Sequence, residues 1–378
     1  EEYLMLKIRT PGFDQVIEKT FRVFKCTDRV IVRDNNTQNY ILHFASIELF
    51  YDILLPLYIP FEGDVHSIVG SIFEKYIATS RNYEISQTED DIKNIEKVTP
   101  LVILNETANK VKFVSPGWTP FKCINWLASR SIPKNSNAKN YLFFETNKAF
   151  YFGSLEHIFK DAYENNNYIG EYSTGISNIR DGKKVVDVNR EMFLASDVSM
   201  SATTDHIKNY TSGYLANRLI ELDVINKQYQ VFDYDYINEY KNQFHTSGKG
   251  EKSVPSFTSE SLRNPVQNTS YYPKNPGLFD NFIGNVNERM GEIHGNRKSS
   301  LTELSNIKIN ITVPGRTDVE VGRLFRMLYP ALGADPSKLD RDYSGFYLVT
   351  AICHRINRMS HTMHIEGVKD SLRVDINE

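Results

Sequence analysis

The residues with the strongest chemical potential are a histidine cluster near the C-terminus, a pair of aspartates and an acidic triplet. His354, His361 and His364, with Cys353, contain the ligand types of a zinc site. Their spacing argues against one: His361 and His364 are three apart on a strand pattern and project to opposite faces. Asp233 and Asp235, two apart, share one face and could hold a hard cation, but no further carboxylate lies close in sequence. Each is better read as hydrogen-bonded or solvated. Glu89-Asp90-Asp91 reads as a wetted loop. Gly248-Lys249-Gly250-Glu251 lacks the glycine-framed spacing of a phosphate loop, and neither a nucleophile elbow nor a zinc-protease helix occurs. The expectation is no catalytic residue, no metal and no cofactor.

The scaffold around these residues is that of an ordinary folded protein. Of 378 residues, 40% are hydrophobic and 24% charged, which is too apolar for disorder. The 22 Phe and 22 Tyr favour strands and broad buried surfaces. A net charge of −3 gives no electrostatic footprint for nucleic acid or an anionic membrane. Cys26, Cys123 and Cys353 have no metal or redox spacing, so folding in a reducing cytoplasm is expected. Ile41 to Phe61 is the most apolar stretch, but His43, Glu48, Asp52 and two prolines interrupt it.

Local patterns predict the elements. Phe21–Cys26, Val30–Arg33 and Tyr40–Phe44 read as strands around an Asp34–Thr37 turn. Val65, Ile68, Val69, Ile72 and Phe73 have helical spacing after Asp64. Thr119-Pro120 opens a second helix, because proline at the first helical position forfeits no hydrogen bond. Tyr141–Glu145 and Ala149–Phe152 predict a hairpin, and Ser154 caps a following helix. Val185–Lys208 has some helical character; Gly213–Ile225 and Tyr229–Tyr236 return to strand. Asn238–Asn275 is polar and reads as a long surface excursion.

Near the C-terminus, Ile307, Ile309, Ile311 and Val313 alternate with polar residues, as in a half-buried strand. Val313-Pro314-Gly315-Arg316 fits a type II turn with Gly315 at positive φ, followed by a return strand Val319–Arg326 that includes Gly322. Gly345 precedes a strand, Phe346–Ile356, that is apolar on both faces: Phe346, Leu348 and Ile352 on one, and Tyr347, Val349, Ala351 and Cys353 on the other. The first reading is a central strand covered by its own chain. The second is that a neighbouring subunit covers the Tyr347 face.

Several segments in order resemble the central hub of T-even-type phage baseplates. These are Tyr40–Ser46, Phe121–Arg130 after a Pro-Gly-Trp turn, Tyr141–Thr146 with Phe150–Phe152, Ile311–Asp318 through Gly322, Ser344–Thr350, and Glu366–Leu372. The resemblance implies an α+β fold: two small antiparallel β-barrel tube domains with an inserted α/β domain. The first barrel would span 1–112 and the second 206–240 with 306–378, leaving 113–205 and 241–305 as the insertion. It also implies a non-enzymatic homotrimer in the virion baseplate, assembled in the host cytoplasm, that joins a hexameric tail tube to a trimeric spike. Implied partners are the spike, tail tube or tube-initiator proteins and surrounding wedge proteins, with neither a membrane nor specifically bound nucleic acid. DNA would pass through the channel. Two alternatives stand beside it: a spike-trimer protein of a type VI secretion-like or Mu-like machine, disfavoured because the chain stops at Glu378, and a tail-associated cell-wall-degrading enzyme, disfavoured by the lack of paired carboxylates.

Overall fold

The computed structural model describes residues 2–32, 37–79, 99–174, 179–180, 183–184, 191–202, 205–224, 226–248, 268–273, 289–331, 339–340 and 342–371. Glu89–Asp91 and the Asp34–Asn36 turn lie outside them. The chain is mixed α+β and mostly strand.

It begins with an antiparallel meander of β1 (Tyr3–Arg9), β2 (Val16–Val32) and β3 (Thr37–Ser46). A helix, Ile47–Leu54, leads to β4 (Pro60–Asp64) and the expected helix at Val65–Ile72, continued by a π-helical turn at Phe73–Ala78. Asp64 occupies the N-cap, but its side chain makes no capping bond. Next come β5 (Leu101–Ile103) and β6 (Lys110–Val114), the latter antiparallel to β4.

The helix Pro120–Ala128 starts where Thr119-Pro120 predicts: the Thr119 hydroxyl accepts from Lys122 N. The buried Asp52 carboxylate adds a second cap, accepting from Phe121 N at 2.6 Å. The hairpin β7 (Tyr141–Glu145) and β8 (Phe150–Ser154) follows, with β5 parallel to β8. Its turn closes through Thr146, whose hydroxyl donates to the Ala149 carbonyl at 3.1 Å. Ser154 caps the helix Leu155–Glu164 by accepting from His157 N.

The second half is organised around one sheet. Its strands are β9 (Tyr168–Thr174), β12 (Leu194–Ala195), β13 (Asp197–Ala202), β17 (Ile307–Pro314), β18 (Leu324–Leu328), β19 (Gly345–Ile356) and β20 (His361–Lys369). A two-residue hairpin, β10 (Ile179–Arg180) with β11 (Lys183–Lys184), stands apart. The order is β12-β9-β18-β19-β20-β17-β13. The two end strands are separated by Ser196 alone, whose amide donates to the Thr312 carbonyl at 2.8 Å. This corner brings the sheet back on itself as a nearly closed barrel. Inside are Ile307, Ile309, Ile311 and Val313, as the alternation requires, with Phe325, Met327, Tyr347, Val349, Met363 and Ile365.

β9, β12 and β13 thus enter this sheet beside β17, β18, β19 and β20. The hairpin β14 (Ala216–Asp223) and β15 (Gln228–Asp235) instead forms a separate sheet with β16 (Thr269–Pro273), which runs parallel to β14. The helix Met290–Leu304 lies on that sheet at Gly291 and Gly295, where an added Cβ would fall 2.4 Å from Phe232 and 2.6 Å from Tyr234. The described residues also include the helices His206–Ser212 and Tyr236–Tyr240.

Three sequence expectations change. The return strand is Leu324–Leu328, because Val319–Arg323 is spent in turns before pairing begins. The described part of Asn238–Asn275 is not all surface: His245 and Thr246 are buried, and β16 is a paired strand. The type II turn is also absent. Gly315 is not among the positive-φ glycines; β17 runs on through Pro314, opposite Thr362, and Gly315 N donates to the His361 carbonyl. Glycine is needed there for clearance, since a Cβ would lie 2.1 Å from the His361 ring.

Candidate functional site

The acidic and histidine candidates resolve into structural pairs. Asp233 forms a two-pronged ion pair with Arg218, Nε–Oδ1 2.6 Å and Nη2–Oδ2 2.8 Å. The Arg218 guanidinium holds its carboxyl below the usual range. Asp235 caps the helix Tyr236–Tyr240, accepting from Ile237 N and Asn238 N. His364 meets Thr312, Nδ1 to Oγ1 2.9 Å, while His354 Nδ1 lies 3.1 Å from His361 Nε2. Burial depresses the basicity of both His354 and His361, reinforced for His354 by His361 itself. Among the described residues no three His, Cys, Asp or Glu side chains gather as a metal site.

The surfaces available for assembly are more distinctive. On β19 a bulge at Thr350 breaks the two-residue alternation between Val349 and Ala351. Tyr347 and Val349 point into the barrel, Ile352 follows them, and Ala351 and Cys353 point out. The four residues therefore do not share one face, and only Ala351 and Cys353 are open to a neighbour. Leu348, on the outer face, is covered by Phe159 and Leu304 of the chain itself. Beyond the bulge the β19–β20 hairpin projects, with Ile356 half exposed and Met359 98% exposed at its tip. Gly345 opens β19 at φ +121°, buried, as a turn residue should.

Gly322, at φ +80°, seats the Phe144 ring, which an added Cβ would meet at 2.5 Å. It borders a cavity of about 270 Å³ between β7–β8, the helix Leu155–Glu164 and the 320–324 loop. The cavity is amphiphilic: Leu104, Ile158 and Leu324 line it together with the Lys148–Glu320 ion pair at 2.8 Å.

Among the described residues the N-terminal meander carries the largest group of exposed apolar side chains: Met5, Val16, Phe24, Val30, Tyr40, Ile41 and Phe44. Among the described residues β1 and β3 each pair with β2 alone, so both outer edges are unpaired. Arg316 and Thr317 hold this meander to the barrel. The buried Arg316 guanidinium lies between the Phe13 and Phe193 rings, 4.8 and 4.1 Å from their centroids, and pairs with Asp318 through two bonds. Thr317 Oγ1 donates to the Gln15 carbonyl at 2.6 Å. Lys19 adds an ion pair with Glu145. Sequence reasoning singled out Pro314 and Gly315 in this motif, yet Arg316 and Thr317 make the long-range contacts.

No family model matches the chain. A probable baseplate hub protein of Vibrio phage KVP40 is 23% identical over 269 residues, covering 68% of this chain and 59% of that protein. The chain thus aligns with less than two thirds of that relative's length. A tail protein from Neisseria meningitidis MC58 superposes with a TM-score of 0.50 at 9% identity, over 95% of this chain and 82% of that one. A 43 kDa tail protein of prophage MuSo2 from Shewanella oneidensis gives a TM-score of 0.43 at 7% identity, over 97% and 89%. The chain is similar in sequence to a phage baseplate hub protein and shares the fold of the Neisseria tail protein.

Proposed function

We propose that this chain is a structural, non-enzymatic subunit of a phage tail baseplate hub, assembling as a homotrimer between a hexameric tail tube and a trimeric spike. The observation that carries the reading is the N-terminal meander, with exposed Phe24, Val30, Tyr40 and Ile41 and two unpaired strand edges. A monomer leaves such a surface open to uncontrolled pairing; a closed ring covers it. The barrel sheet, by contrast, has almost no edge to offer.

In this reading residues 1–112 supply one tube-type module and the barrel sheet the core of a second. Three subunits then present six modules to a sixfold tube while keeping threefold symmetry toward the spike. The remaining α/β segments form an inserted domain at the periphery, where wedge proteins could reach it. DNA passes through the axis without a specific site, in keeping with a net charge of −3.

Light scattering of the purified chain, alone and mixed with the spike protein of the same phage, tests this. A trimer in either condition is expected, and a strict dimer or monomer in both refutes it. Cell walls incubated with the protein should keep their turbidity; clearing would instead establish an enzymatic tail component.

A further inference from the structure

A buried polar cluster lies away from the assembly surfaces, where the segment after the helix Tyr236–Tyr240 meets the end of β20. His245 Nδ1 lies 2.9 Å from Asp370 Oδ2, and its Nε2 lies 2.9 Å from the Tyr240 carbonyl. Thr246 completes the contact: its amide and hydroxyl both donate to Asp370 Oδ1, at 2.8 and 2.6 Å. Tyr163 donates to the Thr246 carbonyl at 2.8 Å, tying in the helix Leu155–Glu164. The imidazole is stacked on the Tyr240 ring, centroids 3.6 Å apart. His245, Thr246, Asp370 and Ser371 are all buried.

Both ring nitrogens therefore face oxygens that only accept. A neutral imidazole carries one N–H, so it would set a lone pair against one of these oxygens in a site that excludes water. Only the imidazolium satisfies both. We propose that residues 241–248 are a protonation-gated latch, docked on the end of β20 while His245 is an imidazolium and released when His245 loses that proton.

The surrounding charges set the direction. Burial opposes a charge on His245, but the Asp370 carboxylate, the Tyr240 carbonyl and Glu156 outweigh it and raise its basicity above that of an ordinary histidine. Burial likewise works against the Asp370 charge, and His245 with Thr246 hold its carboxyl below the usual range. Glu303, on the helix Met290–Leu304, has Oε2 buried without a hydrogen-bond partner among the described residues; burial and the nearby Asp370 favour its neutral form. Lys369, the neighbour of Asp370 on β20, donates to the Asp342 and Ser344 carbonyls, away from His245. Tyr163 and Tyr236, raised by burial, stay neutral well past the range in question.

A histidine whose folded basicity is raised contributes stability that is complete below its unfolded value and is lost as pH rises through the folded value. The latch is thus closed in mild acid and opens as pH rises through the raised His245 value. Strong acid opens it too, once Asp370 is protonated.

The test follows the full-length protein from pH 6 to pH 9. Nitrogen spectra of histidine-labelled protein report the His245 ring, assigned by its loss in His245→Gln. Hydrogen exchange, read by mass spectrometry and corrected for base catalysis, reports residues 241–248. His245 should be mostly doubly protonated at pH 6, and exchange of 241–248 should rise at least about tenfold as it titrates, with little change in the barrel strands. Asp370→Asn puts a donating NH2 against a neutral imidazole while its oxygen still accepts from Thr246, so protection of 241–248 should no longer fall between pH 6 and pH 9. A neutral His245 at pH 6 in the folded protein, or protection of 241–248 unchanged through its titration, overturns the proposal. Should Asp370→Asn not fold, the wild-type titration decides alone.

Discussion

Replacing Gly315 by alanine separates two explanations of why glycine stands there. An ideal Cβ would lie 2.1 Å from His361 Cγ and 2.2 Å from Cδ2, whereas carbon atoms rest about 3.5–4.0 Å apart. The imidazole must therefore retreat by about 1.5 Å. That movement pulls His361 from His354, 3.1 Å away, and disturbs the pairing of Gly315 with the His361 carbonyl. Overpacking of this kind costs about 1–3 kcal/mol. Because φ at Gly315 is not positive, alanine also restricts the unfolded chain, which returns about 0.4–1 kcal/mol. The net expectation is a loss of about 1–2 kcal/mol, read as a lower urea midpoint at unchanged m. In a His361→Ala background the obstacle is gone, and the same Gly315→Ala change should be neutral or slightly stabilising. A coupling of about 1–3 kcal/mol between the two sites is expected. If Gly315→Ala costs as much without His361 as with it, the clearance argument fails and backbone conformation is the cause.

Further expectations concern the other close contacts and the buried charges. Gly295→Ala gains about 1 kcal/mol of helix propensity but places a Cβ 2.6 Å from Tyr234 and 2.9 Å from Asn217 Oδ1; a net loss of about 1–2 kcal/mol should appear in thermal melts, and a stabilised variant would show that the helix can back away freely. Arg316→Lys keeps the charge but loses the paired bonds to Asp318 and the flat stack between Phe13 and Phe193, so a cost of about 1–3 kcal/mol and faster proteolysis near residues 10–15 are expected; unchanged cleavage there would mean that Arg316 does not hold the meander. Burial lowers the Lys369 ammonium from 10.5 to about 8 against the pull of Asp342, Asp340 and Asp370. The unfolded chain then binds more protons through that window, so this group's contribution rises with pH there and falls as pH drops through about 8. Lys369→Met should remove that rise from urea melts at pH 8 to 10, and an identical slope in both proteins would refute it.

Features set by a few neighbouring residues were legible in the sequence. Thr119-Pro120 and Ser154 started helices because their capping bonds reach only two or three residues ahead. Ile307 to Val313 announced an inward face because pleating imposes that alternation on any half-buried strand. What escaped depended on distant partners. The bulge at Thr350 leaves no mark in composition, yet it turns Ala351 and Cys353 away from Tyr347 and Val349. His245 and Thr246 sit in a polar stretch that reads as surface, and only Asp370, more than a hundred positions on, accounts for their burial. At Gly315 the type II pattern was sound chemistry for an isolated tetrapeptide. The pairing of β17 with β20, extended past Pro314 by the Gly315 amide on the His361 carbonyl, decided otherwise.

The barrel's strand order also constrains when it can form. β9 pairs with β18 across about 155 positions, Arg326 opposite Glu171, and β13 pairs with β17 across more than a hundred. On a ribosome, residues 168–202 emerge long before their neighbours exist, and β19 and β20 arrive last to fill the gap between β18 and β17. Until then β9, β13 and β17 are strands with open edges. Folding of this half is therefore slow by construction and completed from the C-terminal side. A chain that stalls before about residue 345 should be far more prone to aggregate than one cut in the N-terminal meander, whose three strands lie within the first 46 residues.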